Sequence, residues 1–318
     1  MPKVSIVIPL YNKAPYIERA LCSVLAQTFQ DFEVIIIDDG STDNSVEVVK
    51  GIINSCIRLI CQENAGVSAA RNRGIAEAKT ELIAFLDADD EWMPTFLETV
   101  LRLHAKYPNA GMYGTAYKYR MPGGYYEKPK YKYLPNKSGE ETLINYVRVS
   151  LGDPPITAST VMIKKEALLK NGCFSIGKKL AEDLAVFMKI SFEYPVIWSN
   201  QVCAIYFKDI TDSATKTVIQ KQDLVIIDTL KERLAKYPYD KNVSNLISRY
   251  YLSCAKRHSL NYDRHNSLIC IHNTIKYAKG IFQLQMIAWR TYLSLPYCIQ
   301  ERLRYYKRIF NKYYYKLR

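Results

Sequence analysis

The first hundred residues alternate between short apolar runs and segments of helical periodicity. Apolar residues at 17, 21, 24 and 25 predict a helix over residues 14–28. Two further helices are predicted, one over residues 44–51 and one that begins after residue 66. Strictly alternating strands and helices with continuously apolar strands are typical of a parallel sheet covered by helices on both faces. The apolar runs predict buried strands at residues 3–8, 32–37, 57–61 and 81–87, and we expect the first to end at Pro9.

The alternation breaks down after residue 100. Residues 121–138 are polar and rich in tyrosine, which predicts a loop, whereas 157–168 predict a strand followed by a helix and 181–190 a further helix. From about residue 217 the pattern is helical, with breaks near Pro238, Gly280 and Pro296. We therefore expect one α/β domain with two halves, 1–100 and 101–215, followed by a helical region over 216–318.

The charge is concentrated in that last region. Residues 216–318 contain 20 Lys and Arg against 6 Asp and Glu, a net charge of +14, whereas residues 1–215 have a net charge of −1. Within residues 298–318, apolar and aromatic residues recur at steps of three and four with basic residues between them. This pattern predicts a basic amphipathic helix on an anionic membrane surface. The alternative is a helix that packs its apolar stripe on the preceding α/β domain. No nucleic-acid motif accompanies the charge, so we expect no nucleic-acid partner.

Membrane spans and disulfides are not expected. No run of about 18 apolar residues is present, and the chain enters a strand pattern at once, which predicts neither a transmembrane helix nor a signal peptide. The eight cysteines are scattered without a CxxC pair. We therefore expect a reduced, cytoplasmic protein.

Polar residues gather where the predicted parallel strands end, which is where α/β sheets bind ligands. In FLDADD, Asp87 and Asp89 lie two apart, so an extended backbone would point both at one volume suited to Mg²⁺ or Mn²⁺. The alternative is a solvated acidic loop. Asp90 and Glu91 are predicted to begin the next helix, where negative charge is favoured.

Two other segments carry candidate binding residues. Asp39, in IIIDDGSTD, suits a carboxylate aimed at a base or ribose, or else it caps a turn. Arg71, in ENAGVSAARNRG, could reach a phosphate or an acidic cluster, or else it is a surface arginine.

Taken in order, VSIVIPLYNKAPYIERALCSVLAQTFQDFEVIIIDDGSTDNS, ENAGVSAARNRG and FLDADD closely resemble the family-two glycosyltransferases. The resemblance is strong over residues 1–100 and weaker over 155–215, where LLKNGCF and AEDLAVFMKI resemble the family's glycine-phenylalanine turn and glutamate-aspartate helix start. It implies a GT-A type, Rossmann-like fold with a mostly parallel sheet, helices on both faces and a C-terminal helical extension. Residues 1–100 would bind the nucleotide sugar and residues 101–215 the acceptor.

The resemblance also implies roles for individual residues. Asp183 matches the catalytic base, and Asp89 matches the metal ligand of the DxD motif. A divalent cation, Mn²⁺ or Mg²⁺, is the implied cofactor. The residues that match the nucleotide-sugar-binding positions are Pro9, Tyr11, Asp39, Arg71 and Asp87.

One departure concerns the metal site. Many family members place a histidine after a strand that follows the base helix, whereas the matching stretch here, AIYFKDITDSATK, has none. Asp209 falls at about that position. Either Asp209 completes the metal site or the third ligand is missing.

The resemblance implies an inverting hexosyl- or N-acetylhexosaminyltransferase. It would move a sugar from a nucleotide-diphosphate sugar, typically a UDP-sugar, to a hydroxyl of a growing surface glycan or a lipid-linked acceptor. We expect it to be cytoplasmic and peripheral on the inner face of the membrane. One alternative is a non-catalytic nucleotide-sugar-binding or scaffold subunit with a degenerate metal site. Another is a nucleotidyltransferase, which would normally show a glycine-rich, basic phosphate loop after the first strand, and PLYNKAPY is not one.

Overall fold

The computed structural model of the protein describes residues 2–52, 54–134, 140–178, 181–210, 225–260, 263–296 and 298–303. The chain divides into two compact units, Met1–Thr229 and Leu230–Arg318. The strands are β1 (Val4–Leu10), β2 (Phe32–Asp38), β3 (Ile57–Cys61), β4 (Leu82–Phe85), β5 (Glu91–Trp92), β6 (Met112–Arg120), β7 (Tyr126–Glu127), β8 (Glu141–Leu143), β9 (Val161–Lys164) and β10 (Val196–Phe207).

Helices flank these strands in the first unit and make up the described part of the second. A short 3₁₀ helix, Ala158–Thr160, precedes β9. The α-helices are α1 (Ala14–Leu25), α2 (Ser45–Gly51), α3 (Val67–Glu77), α4 (Phe96–Lys106), α5 (Tyr146–Val149), α6 (Lys165–Lys170), α7 (Glu182–Glu193), α8 (Val225–Lys236), α9 (Lys241–Leu260), α10 (Arg264–Tyr277) and α11 (Ile281–Ser294).

The first unit is built on a single sheet with the strand order β3-β2-β1-β4-β9-β6-β10-β5, to which β7 and β8 add at β6 and β10. Strands β1 to β4 pair in parallel, as their continuous apolar sequences predict. Strand β9 is antiparallel to both β4 and β6, and β6 and β10 are parallel to each other. The predicted α/β class and the predicted GT-A arrangement of strands and helices are confirmed.

Strand β1 does not end at Pro9 as predicted but continues to Leu10. Val7 O accepts from Leu86 N, directly after β4, whereas Leu10 O accepts from Asp39 N, directly after β2. The odd-numbered residues of β1, Pro9 among them, therefore direct their N–H and C=O groups toward β4. Strand β4 has ended by the level of Pro9, since its pairing stops at Val7–Phe85. The missing N–H of proline therefore leaves no ladder bond unmade.

Helix α3 packs unusually close to β1 because of Gly74. A Cβ atom at this position would lie 2.3 Å from Val7 Cγ1, so any other residue would force Val7 or the helix to shift. The helix begins after Gly66, as the sequence predicts, with a left-handed φ of 90° at that glycine. Its N-terminal part, which carries Ser68 and Arg71, thereby lies against β1.

The segment after β4 differs from the prediction in two ways. It forms a turn rather than an extended chain, since Asp90 N donates to Asp87 O at 3.0 Å. Asp90 and Glu91 do not begin a helix: Glu91 and Trp92 form β5, which pairs antiparallel to β10, and α4 begins only at Phe96. The pairing with β10, a strand more than a hundred residues away, outweighs the local preference for a helix start.

The second half of this unit follows the predicted pattern in part. The strand and helix predicted over 157–168 appear as β9 and α6, and the helix predicted over 181–190 appears as α7. The predicted loop at 121–138 contains a two-residue strand, β7, that pairs with the end of β6. Residues 135–138 of that segment lie outside the described residues.

The second unit contains the helices α9, α10 and α11. Its core is small and is formed by Leu252, Ala255, Ile271 and Ala278. The predicted breaks near Pro238, Gly280 and Pro296 are present, but the break between α9 and α10 was not predicted. Most of the predicted basic helix, residues 304–318, lies outside the described residues. None of the described helices has both the length and the mean hydropathy that a membrane span requires.

Candidate active site

The carboxyl ends of β1, β2 and β4 lie side by side, because β1 pairs with the other two. This places Pro9 at the end of β1, Asp39 just beyond β2 and Asp87 just beyond β4 at one edge of the sheet. Tyr11, directly after β1, is 47% exposed, so its ring is available to a ligand. The predicted nucleotide-binding residues therefore share one edge of the sheet.

Asp39 is buried and is already bound by the protein. Its carboxylate accepts hydrogen bonds from Gln62 Nε2 at 2.8 Å, Ala65 N at 3.0 Å and Gly66 N at 2.8 Å. These contacts hold the loop that leads into α3. Gly40 lets the chain turn next to that loop with a left-handed φ of 75°. A Cβ atom at Gly40 would lie only 3.0 Å from Asn64 N, which favours glycine there. Asp39 thus fixes the loop between β3 and α3, and it is also a candidate for base recognition.

Asn12 was not singled out from the sequence, although it joins two of the loops at this edge. Its Oδ1 accepts a hydrogen bond from Thr42 N at 2.8 Å, and its own main-chain N donates to Ser41 Oγ at 3.0 Å. It adopts a left-handed φ of 50°, which asparagine tolerates better than most residues. The only sequence signal was its position directly after the first strand.

Arg71 is buried and bridges two acids. Its guanidinium donates from Nη2 to Asp87 Oδ1 at 2.7 Å and from Nη1 to Glu182 Oε1 at 2.9 Å. The side chain is only 4% exposed, so the alternative of a surface arginine is wrong. Burial opposes its charge, but the charges of Asp87 and Glu182 outweigh that penalty and raise the pKa of Arg71 above its usual value.

An aromatic ring and an asparagine support the buried guanidinium. The ring of Phe174 lies 5.2 Å from the Arg71 guanidinium carbon and packs edge-on against Phe85. Asn72 binds the main chain of Phe174 twice, accepting from its N at 2.9 Å and donating to its O at 2.8 Å. The turn that resembles the family's glycine-phenylalanine motif therefore serves to bring Phe174 beneath Arg71.

Asp183 lies in the first turn of α7, next to Glu182. The helix starts abruptly because Ala181, the residue before it, has a left-handed φ of 59°. Asp183 Oδ1 accepts a hydrogen bond from Leu184 N at 2.7 Å. Burial raises the pKa of the Asp183 carboxyl to about 7, the charge of Glu182 adds to the rise, and Arg71 opposes it. A carboxyl group with this pKa can exchange a proton near neutral pH.

Asp89 faces a different cation from Asp87. Its Oδ2 lies 2.7 Å from Lys13 Nζ, and its main-chain O accepts a hydrogen bond from Arg19. The two acids of the DxD motif are therefore held apart by separate basic partners. Lys13 and Arg19 were not among the predicted site residues, and nothing in their local sequence pointed to Asp89.

Asp209 lies two residues beyond the end of β10. Its Oδ2 is 3.6 Å from Arg120 Nε, while its Oδ1 is buried without a hydrogen-bond partner among the described residues. The guanidinium of Arg19 stacks on Phe207 with its carbon 3.5 Å from the ring centre. The pKa of Arg19 is lowered by burial, and the charges of nearby acids, among them Asp89 and Asp209, oppose that shift. The negative charges of Asp89 and Asp209 therefore both favour the charged form of Arg19.

Asp90 is a buried structural acid. Its carboxyl accepts from Ser159 Oγ at 2.6 Å and from Phe207 N at 3.2 Å. Burial raises its pKa well above the usual range, and the charges of Asp89 and Asp87 add to the rise. Asp90 thus ties the loop after β4 to the end of β10.

The oxygen donors of the site fit a divalent cation. Within the described residues, no three or more His, Cys, Asp or Glu side chains form a cluster that could hold a metal ion. A Mg²⁺ or Mn²⁺ ion needs only one or two carboxylates, however, because water and phosphate oxygens fill its other positions. Asp89 already pairs with a cation, Lys13, and Asp209 carries a buried carboxylate oxygen that accepts no hydrogen bond from the residues that the structure describes. Both are hard oxygen ligands of the type that these ions prefer.

Comparisons with known proteins identify relatives of this chain. The chain is 48% identical over 103 residues to an uncharacterized glycosyltransferase, YibD, of Escherichia coli K12, a match that covers 32% of this chain and 30% of YibD. It is 27% identical over 262 residues to the cholesterol galactosyltransferase of Borreliella burgdorferi, covering 79% of this chain and 72% of that protein. The chain thus spans about a third of the length of the first curated relatives that it matches.

The fold has a close counterpart among solved structures. Staphylococcus aureus TarS 1–349, solved in complex with UDP-GlcNAc, superposes with a TM-score of 0.68 at 17% identity and covers 87% of this chain and 82% of its own. The family model described as glycosyl transferase family 2 matches residues 5–168, which is more than half of the chain and includes the three strand ends of the site. The protein belongs to glycosyltransferase family 2.

Proposed function

We propose that the protein is an inverting glycosyltransferase that moves a hexosyl or N-acetylhexosaminyl group from a UDP-sugar to a hydroxyl group of an acceptor. The observation that carries this proposal is the bridge made by Arg71. It joins Asp87, at the nucleotide-binding edge of the sheet, to Glu182, whose neighbour Asp183 has a pKa of about 7. A candidate base is thereby fixed beside the place where the donor would lie.

Asp183 is the proposed general base. In its ionised form it takes the proton of the acceptor hydroxyl as the oxygen attacks the anomeric carbon of the sugar. A bond forms between that oxygen and the carbon, and the bond from the carbon to the diphosphate oxygen breaks. The sugar is transferred with inverted configuration because the attack and the departure occur on opposite faces.

The nucleotide would occupy the edge formed by β1, β2 and β4. The exposed ring of Tyr11 beside Pro9 offers a face for the base, and the buried carboxylate of Asp39 offers an acceptor for a base N–H. The UDP-GlcNAc complex of TarS, a protein of the same fold, supports a uridine nucleotide as the first candidate.

Asp89 and Asp209 are the residues that would hold a divalent cation, Mn²⁺ or Mg²⁺. When bound, such an ion supplies positive charge that stabilises the departing diphosphate. Lys13 and Arg19 contact Asp89 and add positive charge there.

For the acceptor and the location, we propose a surface glycan or lipid-linked glycan at the cytoplasmic face of a membrane. The support is the concentration of basic residues in 216–318 and the amphipathic pattern of 298–318, of which 304–318 lie outside the described residues. Each basic residue near an anionic leaflet contributes about 1 kcal/mol to binding.

A donor hydrolysis screen tests the proposed function. The protein is incubated with UDP-, GDP- and dTDP-sugars in Mn²⁺, and nucleoside diphosphate release is measured for the wild type and for Asp183→Asn. We expect release from at least one UDP-sugar and a loss of about 10²–10⁴ in rate in the variant. UDP binding without turnover of any donor would instead support a non-catalytic nucleotide-sugar-binding subunit.

A further inference from the structure

The contacts around Arg71 extend to Glu182, a residue to which the function proposed above assigns no chemical step. Glu182 is 7% exposed, and its Oε1 accepts from Arg71 Nη1 at 2.9 Å. A buried carboxylate is costly unless a cation and hydrogen bonds compensate it, so this contact is a specific feature of the fold. Glu182 belongs to α7, whereas Asp87 follows β4, so the two acids reach the same guanidinium from separate elements.

We propose that Glu182 is a positioning residue for sugar transfer: through Arg71 it fixes the first turn of α7, and with it Asp183, relative to the loop that carries Asp87. This inference rests on the proposed function, since it assumes that Asp183 acts as the base. The planar guanidinium is suited to such a bridge because its two Nη atoms donate in fixed directions.

The surroundings of Arg71 leave it little freedom to adopt another arrangement. Phe174 lies against the guanidinium, and Asn72 holds the main chain of Phe174 through two hydrogen bonds. Arg71 itself is anchored in α3, which Gly74 allows to pack tightly on β1. Movement of α7 relative to the sheet would therefore have to break the contact between Arg71 and Glu182.

The charges facing Asp183 give the proposal a second consequence. Glu182 and Asp87 raise the pKa of Asp183, and Arg71 lowers it. Removing the charge of Glu182 should therefore lower that pKa, so that the base stays ionised at a lower pH. A residue with only a general stabilising role would not move the pH profile in this direction.

The test compares Glu182→Gln, Arg71→Gln and the double variant. The matched control is Glu193→Gln, which changes an exposed glutamate of the same helix that pairs with Lys170. Rates are measured with whichever of UDP-glucose, UDP-galactose and UDP-GlcNAc the wild type hydrolyses fastest. They are divided by the number of UDP-binding sites found by calorimetry, so that unfolded protein does not count.

We expect Glu182→Gln to lower kcat by roughly ten- to hundredfold, the effect of losing a hydrogen bond to a charged group, with the donor KM within about threefold. The acid limb of its kcat profile should move to lower pH. In the Arg71→Gln background, the same substitution should cost less than about threefold, because the two residues act as a unit. If Glu182→Gln does not fold, Glu182→Asp, which draws the carboxylate back from Arg71, carries the same expectation for kcat.

Two results would overturn the inference while leaving the proposed function intact. One is a Glu182→Gln enzyme with the kcat and pH profile of Glu193→Gln. The other is a double variant whose loss is the product of the two single losses. A wild type that turns over none of the three UDP-sugars would overturn the proposed function, and this inference with it.

Discussion

Asp183→Asn should make the protein more stable at neutral pH while removing its activity. The carboxyl of Asp183 is half-buried beside Glu182, and its pKa is raised from 3.8 to about 7. Because the native state favours the protonated form, ionisation of this group above its unfolded pKa costs stability. The cost is absent near pH 4, grows as the pH rises, and is complete above the native pKa.

The size of the effect follows from the shift. About three pKa units at 1.36 kcal/mol each correspond to about 4 kcal/mol, and the partial exposure of the carboxyl reduces this to about 2 kcal/mol. Asparagine is neutral at every pH, so the variant should avoid this cost. For a unit of this size the gain corresponds to a rise in Tm of about 4–8 °C near pH 8.

The assay is urea unfolding of the wild type and of Asp183→Asn at about pH 8 and about pH 4.5, with turnover measured on the same samples. We expect the variant to be more stable at the higher pH, nearly equal at the lower pH, and slower by about 10²–10⁴. Asp31→Asn, which neutralises an exposed aspartate, is the control. A variant that is less stable than the wild type at about pH 8, or a difference that does not change with pH, would refute the reasoning.

Three further predictions concern other parts of the chain. Asp89→Ala should abolish the gain in UDP affinity that Mn²⁺ produces in calorimetry, and an equal gain in both proteins would rule out Asp89 as a metal ligand. Gly74→Ala should destabilise the protein by about 1–3 kcal/mol in urea unfolding, because its Cβ would lie 2.3 Å from Val7 Cγ1, whereas Gly51→Ala, with no atom within 4 Å, should not. Neutralising four basic residues of the segment 298–318 should weaken binding to phosphatidylserine vesicles by roughly 10³-fold. Unchanged co-sedimentation with the vesicles would exclude that segment as the membrane contact. The four changes are Lys307→Gln, Arg308→Gln, Lys312→Gln and Lys316→Gln.

The parallel part of the fold was predictable because its signal is local. Four continuously apolar strands with helical segments between them leave few arrangements other than a sheet covered on both faces. The end of β1 was predicted at the wrong residue, because the local sequence does not show that the pairing with β4 ends at Val7, two residues before Pro9. Likewise, Asp90 and Glu91 resemble a helix start locally, and only the pairing of Glu91 and Trp92 with β10 assigns them to a strand.

The candidate site was predictable as a set of positions but not as a set of contacts. The parallel strand order alone places Asp39 and Asp87 at one edge of the sheet, independently of the contacts that their side chains make. The partners of these acids come from elsewhere: Gln62 and the loop after it for Asp39, and Arg71 for Asp87. Glu182 is 111 residues from Arg71 in the chain, so no spacing rule could connect them.

The acidic loop after β4 is tolerated because each of its acids has a separate compensation. Asp87 binds Arg71, Asp89 binds Lys13, and Asp90 accepts hydrogen bonds from Ser159 and from the main chain of β10. Repulsion among like charges is therefore limited, because Arg71 and Lys13 offset two of the charges and the raised pKa of Asp90 favours its neutral form. Of these three acids, only Asp89 is proposed as a metal ligand, so a bound divalent cation would add positive charge beside Asp89, where Lys13 now lies. On that proposal, the cation would replace Lys13 beside Asp89, and the contacts of Asp87 with Arg71 and of Asp90 with Ser159 and Phe207 would stay as they are.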